Sequence, residues 1–443
     1  MDSIEGNWKG EINTAGLKVP IVFSIKNDPK GVLVASLNSQ GKTIQADKIN
    51  IENNNLSMEF NKVKGKFQGK FKASTSTING IWSQSNIDFE LSLQKTDIPL
   101  VQSRPQEPHK PYPYNEKNVK YPNPKANIVL GGTLTSPSTS PPYPGVILIS
   151  GSGAEDRDES IFGHKPFLVI ADYLTKKGIA VLRVDDRGVG ESTGDYISAT
   201  NADFASDVVA GIEFLKTQKE INPQKIGLIG HSEGGVIAPL VASQNADIAF
   251  IVLMAGPGLP LEQILYMQGE LIARANNVSE EMISMQRHVQ AIMFSYVKSE
   301  KDPNIAEQKI RKAIAEEFKN IKDANLPMTS EASINAQIRM VLSPWFRDFL
   351  TYDPTDALRK VKCPVLALNG KKDLQVPPKE NLTAIDQALK EGGNDNYETR
   401  ELPNLNHLFQ TAETGALTEY AQIEETISPE ALEIIGDWLI KQI

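Results

Sequence analysis

The pentapeptide Gly230-His231-Ser232-Glu233-Gly234 lies between an apolar run, Ile226-Gly227-Leu228-Ile229, and a run of helical period, Val236 to Ser243. Glycines two residues either side of a serine, with a strand before and a helix after, predict a nucleophile elbow. The glycines permit a sharp turn that lifts the hydroxyl above the sheet, and the helix N-terminus lies under the negative charge of an attacked carbonyl. The chemistry is acyl transfer. A serine hydroxyl is a weak nucleophile at neutral pH, so it needs a base, and the base needs a carboxylate to hold its tautomer.

On such an elbow the chain order is serine, acid, histidine. Of the five histidines only His407 comes late enough: His109, His164 and His231 precede the serine, and His288 falls in a helical stretch. His407 ends the polar loop Pro403-Asn404-Leu405-Asn406, just after a short strand-like run. For the acid, Asp373 follows the apolar run Pro364 to Leu368 through Asn369-Gly370-Lys371-Lys372. That places it on a loop at the carboxyl end of a strand, where open α/β sheets carry their ligands. Asp353, Asp356 and Asp386 are the alternatives. The tetrahedral intermediate also asks for two main-chain donors. One is the N–H of Glu233; the other is assigned to Ser152 in the small-residue loop Ser150-Gly151-Ser152-Gly153 after the strand Val146 to Ile149.

These residues need a parallel sheet to hold them. Apolar runs at 145–149, 179–184, 226–229, 248–254 and 364–368 alternate with helical-period segments, the pattern of strands buried on both faces in an α/β sheet. A stretch without strands, 258–352, predicts a helical insertion, with amphipathic segments at 261–275, 280–297, 305–318 and 334–342 split by Asn276-Asn277, Asp302-Pro303 and Pro327. Its Tyr266, Met267, Met293, Phe294, Trp345 and Phe349 either wall an apolar pocket above Ser232 or form the insertion's own core. Upstream, 1–97 alternates with period two (Val19, Ile21, Phe23, Ile25; Val63, Phe67, Phe71) between Asn, Gly and Asp clusters, which predicts a small antiparallel barrel or sandwich. Lys62, Lys64, Lys66, Lys70 and Lys72 form a solvated face that discourages edge pairing. The proline-rich 98–126 reads as a linker, leaving 127–257 and 353–443 for the α/β domain.

Composition excludes several alternatives. The 443 residues carry a formal charge of −9, 40% hydrophobic and 23% charged residues. The acidic surplus argues against nucleic acid as a partner, and no apolar run approaches the ~20 residues of a membrane span. The single cysteine, Cys363, excludes an intrachain disulfide and a thiolate metal cluster. No phosphate loop or zinc-spaced histidine pair occurs, so no metal and no cofactor is expected. Asp156-Arg157-Asp158 and Asp185-Asp186-Arg187-Gly188-Val189-Gly190 read as an ion-paired scaffold for loops near the site. The start MDSIEGNW has no basic and apolar leader, consistent with a cytoplasmic protein or an exported one whose signal has been removed. A homo-oligomer stays open.

Taken in order, Gly132-Thr133-Leu134, Ile149 to Gly153, Lys165-Pro166-Phe167, Asp186 to Gly194, Gly230 to Gly235, Ser343-Pro344-Trp345-Phe346 and Gly370 to Asp373 resemble bacterial α/β-hydrolase esterases with an N-terminal lipocalin-like β domain and a helical cap. The match through Gly6-Asn7-Trp8 and Gly80-Ile81-Trp82 is looser. The resemblance implies the triad Ser232, Asp373 and His407, with donors at Ser152 and Glu233, and departs from many hydrolases in having Ser150 where the oxyanion loop often begins with His. The expected activity is carboxylic ester hydrolysis through an acyl-enzyme. The alternatives are a thioesterase or serine peptidase on the same triad and, in another class, lipid binding or docking by the N-terminal β domain.

Overall fold

The computed structural model describes residues 4–14, 17–39, 42–84, 87–97, 103–318 and 331–443. Pro327, named above as an insertion break, and residues 98–102 of the expected linker lie outside them. The chain divides into two compact units, Met1–Ser103 with Ile161–His164 and Asn320–Gln337, and Arg104–Ser160 with Lys165–Lys319 and Ile338–Ile443.

The first unit is all antiparallel: β1 (Gly6–Thr14), β2 (Leu17–Asn27), β3 (Leu33–Ser39), β4 (Lys42–Gln45), β5 (Lys48–Glu52), β6 (Asn55–Phe60), β7 (Gly65–Lys72), β8 (Thr77–Gln84) and β9 (Ile87–Thr96). Their order is β4-β3-β2-β1-β9-β8-β7-β6-β5. In β7 the period-two pattern sets Phe67 and Phe71 inward and Lys66, Gln68, Lys70 and Lys72 outward. The concave side is filled by rings, with Phe23 5.8 Å from Phe60, 5.2 Å from Phe67 and 6.0 Å from Trp82. The sheet is a curled half-barrel, where the sequence predicts a small barrel or sandwich and the resemblance a lipocalin-like one. Its two edges, β4 and β5, are consecutive in sequence, yet the residues joining them are each taken by a neighbour on their own side. The Ala46 N–H donates to Ala35 O and the Asp47 N–H to Glu59 O, both at 2.8 Å.

The second unit is built on β10 (Asn115–Asn123), β11 (Ile128–Ser136), β12 (Tyr143–Ile149), α1 (Pro166–Lys176), β13 (Ala180–Val184), α2 (Asn201–Thr217), β14 (Ile221–His231), α3 (Gly234–Ala242) and β15 (Ile248–Met254). A helical run follows: α4 (Leu261–Ala275), α5 (Glu280–Ser299), α6 (Pro303–Phe318), α7 (Glu331–Val341), whose residues up to Gln337 count with the first unit, α8 (Pro344–Thr351) and the short α9 (Thr355–Leu358). The chain then returns to the sheet through β16 (Val365–Gly370), α10 (Pro378–Glu391) and β17 (Tyr397–Leu402), ending in α11 (Leu417–Tyr420) and α12 (Pro429–Gln442).

The sheet order is β10-β11-β13-β12-β14-β15-β16-β17. β10 and β11 are antiparallel to their neighbours, and the strands from β13 to β17 run parallel. This is the α/β-hydrolase arrangement. Continuous apolar strands explain it, since both faces are covered. Leu228, Ile237 and Leu253 are buried on one side and Ile229, Phe250 and Leu368 on the other.

Part of the stretch expected to be linker is structured. Arg104 donates to the carbonyls of Ile423 and Ala421 at 2.7 and 2.9 Å, and β10 pairs with β11 over nine residues. Val119 and Tyr121 are buried, and Pro122 is tolerated because β10 is an edge, where one row of N–H groups needs no ladder partner.

Candidate active site

β14 delivers the nucleophile. Ser232 has φ +53°, a left-handed backbone that costs a non-glycine residue about 1–3 kcal/mol and persists only when its surroundings fix it. The Ser232 N–H donates to Met254 O at 2.9 Å, and its carbonyl accepts from the Gly235 N–H at 2.8 Å. The flanking glycines are steric requirements. A Cβ on Gly230 would lie 2.0 Å from Gly234 O, and one on Gly234 would lie 2.1 Å from Ile149 O.

Asp373 and His407 come from the loops that leave the adjacent parallel strands β16 and β17. His407 Nδ1 lies 2.7 Å from Asp373 Oδ2, with the residues 4% and 2% exposed. The other oxygen, Oδ1, accepts the N–H groups of Gln375 and Val376 at 2.7 and 2.9 Å, which fixes the carboxylate. With Nδ1–H donated to Asp373, the lone pair of a neutral ring sits on Nε2. The rival acids are engaged elsewhere: Asp386 accepts the Tyr397 hydroxyl at 2.8 Å, Asp353 caps Thr355 at 2.8 Å, and Asp356 faces Arg359 at 3.4 Å.

The base loop is tied to the elbow through His231, whose Nε2 lies 3.0 Å from the His407 carbonyl oxygen and whose Nδ1 lies 2.9 Å from Glu159 Oε1. Burial opposes a charged ring here, but the Glu159 carboxylate outweighs it and raises the His231 pKa to about 9.

In the loop after β12 the Gly151 N–H donates to Glu159 at 2.9 Å and the Gly153 N–H to the Tyr196 hydroxyl oxygen at 2.8 Å. Between them the Ser152 N–H meets no acceptor among the described residues, and neither does the Glu233 N–H. Those are the two donors named from the sequence. The Ser150 hydroxyl, standing where a histidine is common, donates to Asp186 Oδ1 at 2.7 Å and the Glu155 N–H to Asp186 Oδ2 at 3.0 Å. Burial pushes the Asp186 carboxyl well above the usual range.

The six candidate pocket residues separate into two groups. Trp345 Nε1 donates to Glu233 Oε1 at 3.0 Å, and Phe349 packs with Val236 of α3 and Val376 beside Asp373; these two reach the elbow. Tyr266 and Phe294 are 5.2 Å apart, and Phe294 is 5.6 Å from Phe346, so these rings pack within the helical run. Met293 is buried and Met267 half-buried on the same helices.

Sequence reasoning missed Glu159 and Tyr196. Tyr196 donates to Glu233 Oε2 at 3.0 Å, so the Glu233 side chain is held by Tyr196 and Trp345 together. Burial raises its pKa to about 7, against the pull of those two donors. Around this core the acid and arginine clusters pair as a scaffold. Arg157 grips Asp185 through two nitrogens at 3.0 and 2.6 Å, Arg183 pairs with Asp158, and Arg187 meets Asp207 at 2.8 Å. Although burial works the other way, the bonds from Arg157 hold Asp185 below the usual carboxylate range.

Fold and site define the class: a serine hydrolase of the α/β-hydrolase fold. Residues 165–326 match the family model described as serine aminopeptidase S33, and residues 332–426 match that of the prolyl oligopeptidase family. The chain is 26% identical over 318 residues to esterase EstD of Thermotoga maritima, a match covering 70% of this chain and 66% of that protein. It is 24% identical over 241 residues to an uncharacterized 31.7 kDa protein of Escherichia coli, covering 52% of this chain and 74% of the other. Among solved structures, an esterase of Pyrococcus furiosus is 17% identical with a TM-score of 0.44, covering 77% of this chain and 98% of that one. Among the described residues no helix is long and apolar enough to cross a membrane.

Proposed function

We propose that the protein is a carboxylic ester hydrolase working through an acyl-enzyme. His407 Nε2 takes the proton of Ser232 Oγ as the oxygen attacks the ester carbonyl, and the N–H groups of Ser152 and Glu233 receive the oxyanion. Collapse expels the alcohol, which takes its proton from His407. Water, deprotonated by the same nitrogen, then releases the acid and frees Ser232. The observation that carries this reading is the buried His407–Asp373 pair at 2.7 Å, on a loop bonded to the residue preceding a left-handed serine. Helices α4, α5, α6 and α8 act as a cap over the site, with Trp345 and Phe349 facing the acyl group.

Peptide hydrolysis is the second reading, favoured by the names of the two matching family models. The Glu233 side chain, bonded to Tyr196 and Trp345, is not offered to a substrate ammonium. The test is a panel of short aryl esters, acyl thioesters and aminoacyl amides, run on the wild type and on Ser232→Ala. Ester turnover should dominate and fall by at least about 10³-fold in the variant. Full ester turnover by Ser232→Ala would sink the assignment, and amide turnover above ester turnover would select the second reading.

A further inference from the structure

Glu159 is a buried acid that the acyl-transfer steps do not use. It is 3% exposed, and its backbone has φ +52°, an unfavourable conformation for a glutamate that calls for a reason. One oxygen, Oε1, receives both the Gly151 N–H and His231 Nδ1 at 2.9 Å. The other nitrogen of His231 faces the His407 carbonyl oxygen at 3.0 Å. Where Glu159 is a carboxylate, it and the carbonyl both accept only, so both ring nitrogens donate and the ring is an imidazolium.

We propose that Glu159 and His231 are positioning residues that join the oxyanion loop to the general base. The carboxylate takes the Gly151 N–H out of play, so the loop presents the next donor, Ser152. The imidazolium carries the same anchor across to His407 and sets the base beside the nucleophile that follows it in sequence. Neither residue touches substrate; both act through groups that do. The inference rests on the triad reading above.

The charged or titratable groups that face His231 are Glu159 from the loop after β12, Asp373 from the loop after β16 and the His407 ring, 4.9 Å away, from the loop after β17. The ring stays charged up to about pH 9, and above that the link to one partner is lost. Wild-type kcat on a short aryl ester should therefore fall as pH rises through that region.

The decisive variants are Glu159→Ala, which removes both contacts, and Glu159→Gln, which keeps an acceptor for Gly151 but no counter-charge for His231. Misplacing reacting groups by an ångström costs about 10²-fold. Glu159→Ala should accordingly lose about tenfold to hundredfold in kcat with KM within about twofold. Glu159→Gln should recover part of kcat and move the alkaline limb down by more than about one unit, because a buried imidazolium without its anion deprotonates sooner. A defect in folding alone would lower the active fraction, counted by titration with a fluorophosphonate, and would leave that limb in place. Unchanged kcat and limb in both variants, or a loss confined to KM, overturns the inference while a dead Ser232→Ala leaves the hydrolase reading intact. Should neither variant fold, wild-type kcat that stays flat to about pH 10 overturns it.

Discussion

At the level of single residues, the site rests on two side chains held where their backbones resist. Ser232 and Glu159 both take left-handed φ, +53° and +52°. The first is enforced by the crowded glycines of the elbow and the second by a carboxylate with two donors to satisfy. Asp373 is fixed by two main-chain N–H groups, so changing it to Asn should preserve the fold and disturb the His407 tautomer instead. An amide that still accepts at Oδ1 turns its NH2 toward Nδ1, which places the histidine's proton on the wrong nitrogen. Asp373→Asn should lower kcat by about three to four orders of magnitude with little change in KM, measured by steady-state kinetics on a short aryl ester. The candidate serine, acid and base could be singled out in the sequence because each follows a strand along the chain. Glu159 was not, since its partner His231 lies 72 residues away and nothing in Asp158-Glu159-Ser160 foretells a left-handed turn. Tyr196, in a run without helical or strand period, gave no signal either.

At the level of elements, the helical run is fastened to the elbow at a titratable point. Trp345, at the start of α8, and Tyr196 both donate to Glu233, and Arg347 of α8 caps the end of α5 by donating to the carbonyls of Val297 and Glu300 at 2.8 and 2.7 Å. Glu233 has a folded pKa of about 7 against an ordinary 4.5. Between those values the folded state holds a proton that the unfolded state has released, so stability declines as pH rises from about 4.5 to about 7. Glu233→Gln stays neutral in both states. Its thermal midpoint, followed by circular dichroism from pH 4 to 8, should fall less over that interval than the wild type's. An equal fall in both proteins would assign the decline to other buried acids, such as Asp186. Helices α4 to α7 were readable from their amphipathic period, whereas α8 (Pro344–Thr351) and the four-residue α9 are too short to declare one.

For the molecule as a whole, two architectures share one chain, and they were unequally visible. The α/β unit announces itself because strands covered on both faces must be apolar throughout. The half-barrel announces its strands but not its closure, which depends on whether β4 and β5 meet, and local pattern says nothing of that. The edge strand β10 was hidden by Pro122 and by the charged residues Glu116, Lys117 and Lys120. The ring-filled interior bears on the rival role in lipid binding, since Trp8, Phe23, Phe60 and Phe67 are fully buried where an acyl chain would lie. Those rings instead hold the unit together. Phe23→Ala should destabilise it by about 3–5 kcal/mol, detected as faster hydrogen exchange in β2, β7 and β8, whereas exchange unchanged there would show that the cluster is not what stabilises the sheet.

The unclosed sheet also bears on how the protein ages. An unpaired strand edge is a template for another chain, and cross-β stacking generally draws on segments of six or seven residues. The half-barrel offers only four residues on β4 and five on β5, and β5 carries Lys48 and Glu52 at its ends. Neither edge of the half-barrel offers a seed of that length, so fibril growth should not start from β4 or β5, and peptides spanning those two strands should leave thioflavin T dark.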